Sequence, residues 1–173
     1  QGLDLVVPEV AQQLEGTFRF QIVGDGRERK PLEERVATLG IDNVELLPPV
    51  GREQLIQYYE QSDILFLHLN DVPAFKRVLP SKIFEYVAQG KPIVAGLSGN
   101  SAQFFTENVK HGCLFNPGDV DGCVKCIQRA ASLIVDTGSI DRFVEKYSRV
   151  HIMEKMADYI LSIASSSLDI SKS

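Results

Sequence analysis

The chain is predicted to fold as an α/β domain: a Rossmann-like doubly wound parallel sheet flanked by helices, with two further helices at its C-terminal end. Three observations predict it. Short runs rich in β-branched and aromatic residues alternate with helical patterns of roughly ten to fifteen residues, the spacing of right-handed βαβ crossovers. The run Asp63 to Leu69 is almost wholly apolar, as expected of a strand covered on both faces of a parallel sheet. At 173 residues, 44% hydrophobic and 24% charged, the chain has the length and composition of one globular domain with a sizeable core.

Leu3, Val6, Val7, Val10 and Leu14 recur at helical spacing, so an amphipathic helix opens the chain and Gly16 ends it. Thr17 to Val23 (TFRFQIV) reads as a strand broken by Gly24-Asp25-Gly26. A helix from Glu28 to Leu39 follows, capped by Gly40, then a strand from Asn43 to Leu47 and a Pro48-Pro49 turn. Arg52 to Gln61 is a helix with Leu55, Ile56 and Tyr59 inward, and Asp63 to Leu69 the buried strand. Asn70 to Leu79 reads as a polar, mobile loop. Pro80-Ser81 opens a helix through Gln89, with Ile83, Phe84 and Val87 on its packing face and Gly90 closing it. Pro92 to Ala95 is a short central strand, Ala102 to Asn108 a short helix, Cys113 to Phe115 a strand and Asp119 to Val135 a helix. Ile140 to Ala164 carries Phe143, Tyr147, Ile152, Met156, Tyr159, Ile160 and Ile163, two consecutive helices whose apolar faces something outside the sheet must accept.

Composition excludes several classes. A formal charge of −5 provides no basic field for nucleic acid or anionic lipid, although a local cluster could still hold phosphate. No run approaches the roughly 18 apolar residues that span a bilayer, and no targeting signal is visible. The three cysteines, Cys113, Cys123 and Cys126, form no secreted disulfide framework, and an odd count fits a reducing, cytoplasmic compartment. Cys123-Val-Lys-Cys126 has the spacing of a redox or zinc pair, but it lies inside a helical pattern with no second pair, which favours a structural role. His68, His111 and His151 are scattered and read as core or surface residues, so no metal site is expected.

Ligand in such a fold binds at the carboxyl ends of the strands. Gly24-Asp25-Gly26 follows a strand, yet the dinucleotide pattern needs glycine at position 29, which is Arg29. The next strand also ends in Leu46-Leu47-Pro48 rather than in a carboxylate for a ribose, so nicotinamide cofactors are disfavoured. The turn is left as a phosphate or sugar approach or a plain turn. The stronger candidate is Val78 to Tyr86 (VLPSKIFEY), a helix start just beyond a buried strand. Free amides and the helix dipole attract phosphate there, and Lys82 adds a full charge, with Lys76 and Arg77 just before it. Glu85 lies at i+3 from Lys82, placed to accept two hydrogen bonds from a ribose diol. The competing reading makes Lys82 and Glu85 a solvated ion pair.

PSKIFEYVAQGKPIVAG, residues 80 to 96, resembles the donor-binding signature of retaining nucleotide-sugar glycosyltransferases of the two-Rossmann-domain (GT-B) type, the glycosyl transferases of group 1. FQIVGDG, DNVELLPPVGREQL and SDILFL, in that order before it, are similar to the same family's C-terminal domain. Four motifs in one order are more specific than any one of them. The nearest echo is among bacterial enzymes that build surface polysaccharides, including fucosamine-type transferases. The resemblance implies that residues 1–137 are the nucleotide-sugar-binding domain without its first strand. It implies that residues 138–165 are helices crossing back to an absent N-terminal acceptor domain, with 166–173 a frayed tail. Exposed apolar surface at Ile152, Met156, Tyr159 or Ile160 would follow.

Residue by residue, Glu85 matches the second glutamate of the family's E-x7-E motif and would bond the ribose hydroxyls. Ser81 and Lys82 would hold the diphosphate. Val50 and Gly51 match the loop that meets the base, with Arg52 lying over it and Gly24 and Gly26 lining the adjacent edge. Arg77 stands where the first glutamate is expected, so a cation replaces the usual carboxylate beside the sugar. The implied reaction moves a sugar from a UDP- or GDP-type donor to a saccharide or lipid-linked acceptor, with retention and without metal or cofactor. Lys82 and Arg77 would stabilise the leaving diphosphate. The full enzyme would be cytoplasmic, at the inner face of the membrane, and the chain alone inactive. Two alternatives stay open: a nucleotide-sugar 2-epimerase of related fold, and a non-enzymatic flavodoxin-like interaction domain.

Overall fold

Runs of β-branched and aromatic residues become five strands of four residues each in the computed structural model, which describes residues 1–170 and the side chains of residues 1–163. In chain order the elements are α1 (Val7–Gln13), β1 (Phe20–Val23), α2 (Arg29–Leu39), β2 (Val44–Leu47), α3 (Arg52–Gln61), β3 (Leu65–His68) and α4 (Lys82–Ala88). They continue with β4 (Ile93–Gly96), α5 (Gly99–Asn108), β5 (Gly112–Phe115), α6 (Val120–Ala130), α7 (Thr137–Tyr147) and α8 (Arg149–Ile170). The α/β class with parallel strands and flanking helices is as the sequence predicts.

The strands form two parallel sheets. β1 pairs with β2, Phe20 opposite Val44, and β4 lies between β3 and β5, Ile93 facing both Leu65 and Gly112. β4 is buried along its whole length, which is why Ile93-Val94-Ala95-Gly96 carries no polar side chain. One apolar cluster underlies both sheets: Val6, Val7, Val10 and Leu14 around α1, Val94 of β4, Cys113 and Phe115 of β5, and Cys123, Cys126, Ile127 and Ala130 of α6. Phe20, Ile22, Val44 and Phe66 pack against that cluster from β1, β2 and β3.

Departures from expectation have local causes. Leu3–Leu5 form a 3-10 turn ahead of α1. α5 begins at Gly99, earlier than Ala102; Gly99 takes a left-handed φ of 63° and lies against the Lys76 backbone where a Cβ would collide, so only glycine fits there. α6 stops at Ala130 rather than Val135, with the Ser132 hydroxyl bonded to the Arg129 carbonyl at 3.0 Å. The segment read as a polar, mobile loop instead holds a 3-10 turn, Phe75–Arg77. It is tied down where the Asp71 carboxylate accepts from the Ser98 hydroxyl at 2.9 Å and pairs with Lys76 at 3.1 Å. Val72, Phe75, Val78 and Leu79 are left exposed.

The cysteines are the clearest correction. Cys113 and Cys126 form a disulfide, joining β5 to α6, and Cys123 is the free, buried thiol. Sequence spacing drew attention to the i,i+3 pair within one helix, whereas packing α6 onto β5 brings together two residues 13 apart.

Residues Gln1–Asp136 make one compact unit and a second begins at Thr137. In the second, the Phe143 and Tyr147 rings lie 4.7 Å apart and the Lys146 ammonium sits 4.9 Å from the Tyr147 ring. Along α8, Val150, Ile152, Met153, Met156, Tyr159, Ile160, Leu161 and Ile163 are exposed. The helix runs to Ile170, through part of the segment read as a frayed tail; the remaining tail positions, 171–173, lie outside the described residues. No helix among the described residues is long and apolar enough to cross a membrane.

Candidate functional site

The predicted donor residues sit on the rim formed by the carboxyl ends of the strands, in two clusters. The first follows β1 and β2. Gly24 has φ 134°, which a side chain would strain, and open space beyond it. The Gly26 amide donates to the Asp25 carboxylate at 2.7 Å. Gly51 is extended and precedes α3, with Gly26, Gly51 and Arg52 exposed and Val50 half-buried. Arg29, read in the sequence only as a missing glycine, binds this cluster together. Its guanidinium donates to the carbonyls of Gly24 at 2.7 Å, Leu47 at 2.9 Å and Leu46 at 3.2 Å.

The second cluster is the start of α4. Ser81 already has helical angles, φ −58° and ψ −26°, its hydroxyl makes no cap bond, and it is exposed. Lys82 is half-buried and Glu85 exposed. Burial pulls the Lys82 ammonium below the usual lysine range, and the Glu85 charge opposes that shift. The two attract through space, yet no ion pair closes between them among the described residues, contrary to the competing reading of that pair. Glu85 also lies within electrostatic reach of Tyr59 and Tyr86. Those rings meet edge-on at 5.3 Å, and burial raises both phenols above their ordinary value. Arg77 ends the exposed 3-10 turn before α4 and makes no ion pair or hydrogen bond among the described residues.

A third feature is His68, which the sequence reads as a core or surface residue and the structure buries. His68, at the end of β3, is fully buried, with Nδ1 2.6 Å from the Gln1 carbonyl and Nε2 accepting from the Gly118 amide at 3.1 Å. Those partners place its single proton on Nδ1. A β-strand histidine has no sequence signal that distinguishes a loop tie from a core residue.

Two surface hollows contain none of the predicted donor residues. One of about 270 Å³ is lined by Phe105, Thr106, Val109, Gly112, Cys113, Leu114 and Arg129, and one of about 160 Å³ by Gln54, Gln57, Tyr58 and Gln61. The donor residues instead form an open surface. Chemically these residues offer cations at Arg52, Arg77 and Lys82 and carboxylates at Asp25 and Glu85, while the Gly24 and Gly26 amides are already bonded to the Leu47 carbonyl and the Asp25 carboxylate. No group of three or more His, Cys, Asp or Glu residues is placed to hold a metal ion among the described residues.

The chain is 25% identical over 150 residues to the 2-deoxystreptamine N-acetyl-D-glucosaminyltransferase of Niallia circulans, covering 87% of this chain and 36% of that protein. It is 30% identical over 108 residues to the sulfoquinovosyl transferase SQD2 of Arabidopsis thaliana, covering 61% of this chain and 20% of that one. Its fold matches Anabaena Alr3699/HepE, crystallised with UDP and glucose, at a TM-score of 0.70 and 21% identity, over 93% of this chain and 45% of that one. It also matches AviGT4, a glycosyltransferase of avilamycin A biosynthesis, at a TM-score of 0.69 and 18% identity, over 93% of this chain and 48% of that one. The chain thus spans less than half the length of each of these relatives. The family model for glycosyl transferases of group 1 matches residues 1–132, and the chain belongs to that family.

Proposed function

We propose that the chain is the donor-binding half of a glycosyltransferase that moves a sugar from a nucleoside diphosphate sugar to a saccharide or lipid-linked acceptor. The observation that carries this reading is the pairing of a half-buried Lys82 with an exposed, uncommitted Glu85 at the start of α4. Lys82 and Ser81 hold the diphosphate and Glu85 accepts from the ribose hydroxyls. Val50, Gly51 and Arg52 meet the base, and Gly24 and Gly26 let the backbone approach. Arg77, with Lys82, supplies the positive charge that stabilises the leaving diphosphate in a transfer that retains anomeric configuration and needs no metal. The open surface is explained if an N-terminal acceptor domain closes over it, and without that domain the chain is inactive. We place the whole enzyme in the cytoplasm at the inner face of the membrane, although the Cys113–Cys126 bridge removes the cysteine argument for a reducing compartment. Family membership favours transfer over epimerisation or a purely interacting domain.

Titration of the folded chain with UDP, GDP and their sugar conjugates, followed by amide NMR and calorimetry, tests the reading. Saturable binding is expected, weakened about tenfold or more by Lys82→Ala or Glu85→Ala, since a charged hydrogen bond contributes about 1.5–3 kcal/mol. No response at millimolar nucleotide would reject it.

A further inference from the structure

Arg29 stands where a third glycine would complete a dinucleotide turn, and its side chain does more than occupy the position. The fork reaches back over both strand ends, Nη1 donating to the Gly24 and Leu47 carbonyls and Nη2 to Leu46. Nε donates to the Glu33 carboxylate at 2.9 Å, one turn along α2, which fixes the plane of the guanidinium. The Leu47 carbonyl also accepts from the Gly24 amide at 3.2 Å, so the same oxygen is bound from the β1 backbone and from Arg29. The β1–β2 ladder has its own backbone bonds and does not need the cation to form. Two strands alone are marginal, however, and the turns beyond them would otherwise move independently. A planar fork on carbonyls of both strands sets the distance and orientation between the Gly24–Gly26 turn and the Pro48–Arg52 turn.

We propose that Arg29 is a positioning residue for nucleotide binding: it locks these two turns together so that both face one nucleoside diphosphate. This rests on the donor-binding reading above.

The test uses the isotope-labelled chain with UDP and GDP, measuring dissociation constant and melting temperature in parallel for the wild type, Arg29→Met, Arg29→Lys and Glu33→Gln. Methionine keeps the aliphatic bulk and removes every donor. The expected result is a dissociation constant raised about tenfold in Arg29→Met, equivalent to about 1.4 kcal/mol. Arg29→Lys should recover part of the loss, and the Gly24, Gly26 and Gly51 amide signals should be displaced in the ligand-free Met variant. Affinity within about twofold of wild type in Arg29→Met, whatever its melting temperature, overturns the proposal and leaves the donor reading standing. A wild-type chain that binds neither nucleotide overturns both. If Arg29→Met does not fold, Glu33→Gln decides: an unchanged dissociation constant overturns the proposal, and a weaker one supports it.

Discussion

His68 illustrates how much a single buried side chain can tie together. Its pKa is lowered, because burial outweighs its bond to the Gln1 carbonyl and the Asp4 charge, which raise it. His111 is likewise lowered by burial. A base whose folded pKa is depressed refuses a proton that the unfolded chain accepts, so stability is level above the ordinary histidine value and falls as pH drops below it. The urea midpoint should therefore decrease between about pH 7.5 and 5.5, a range where few carboxylates titrate. His68→Gln should flatten that slope, and an equal slope in wild type and variant would remove His68 as the cause. A second prediction concerns Gly96, whose added Cβ would press on the His68 ring and come within 2.7 Å and 2.9 Å of the Phe115 ring. Gly96→Ala should cost about 1–3 kcal/mol by overpacking, seen as a lower melting temperature. At this scale the sequence reveals chemistry better than geometry. Lys82 stands out because a cation at a helix start opposes the dipole, whereas an acidic residue such as Glu85 in the first turn also has a structural use. Arg29 does not stand out, because only the folded β1–β2 rim shows which carbonyls it reaches.

Elements were readable where one physical signal dominated. α3 begins and ends where its pattern says, Arg52–Gln61, and glycines mark the ends of α2 and α4, Gly40 and Gly90 both at φ 66°. Other boundaries were not, as the start of α5 at Gly99 rather than Ala102 shows. The Cys113–Cys126 bridge belongs to the same class, since only the packing of α6 on β5 creates it. Closing so short a loop contributes about 2–4 kcal/mol, so a reductant should lower the unfolding midpoint and Cys126→Ser should remove that sensitivity. Alkylation of the denatured chain should label one thiol before reduction and all three cysteines after it. In the native chain Cys123 should resist labelling, its thiol pushed up to about 12 by burial and by Asp119. Three labelled thiols without reduction would rule the bridge out.

At the scale of the whole molecule, the alternation of strands and helices made the fold class legible, but it could not show that the strands divide into two sheets over one core. α1 packs with that core, and His68 holds the Gln1 carbonyl at the carboxyl end of β3, where a parallel strand would deliver the chain. A further parallel strand placed between β1 and β3 would join the sheets in the order β2-β1-added strand-β3-β4-β5. Ladder geometry makes this testable in the chain itself. Phe20 and Gly24 donate toward β2, and Leu65 and Leu69 toward β4. By alternation the amides of Ile22 and Leu67 do the same, while those of Gln21, Val23, Phe66 and His68 face the other way. Hydrogen exchange should therefore be slow at Ile22 and Leu67 and markedly faster at the other four. A version extended ahead of Gln1 by a strand should slow those four without affecting Ile22 or Leu67. If all six amides are equally protected in the present chain, the two edges already have partners and no further strand is needed.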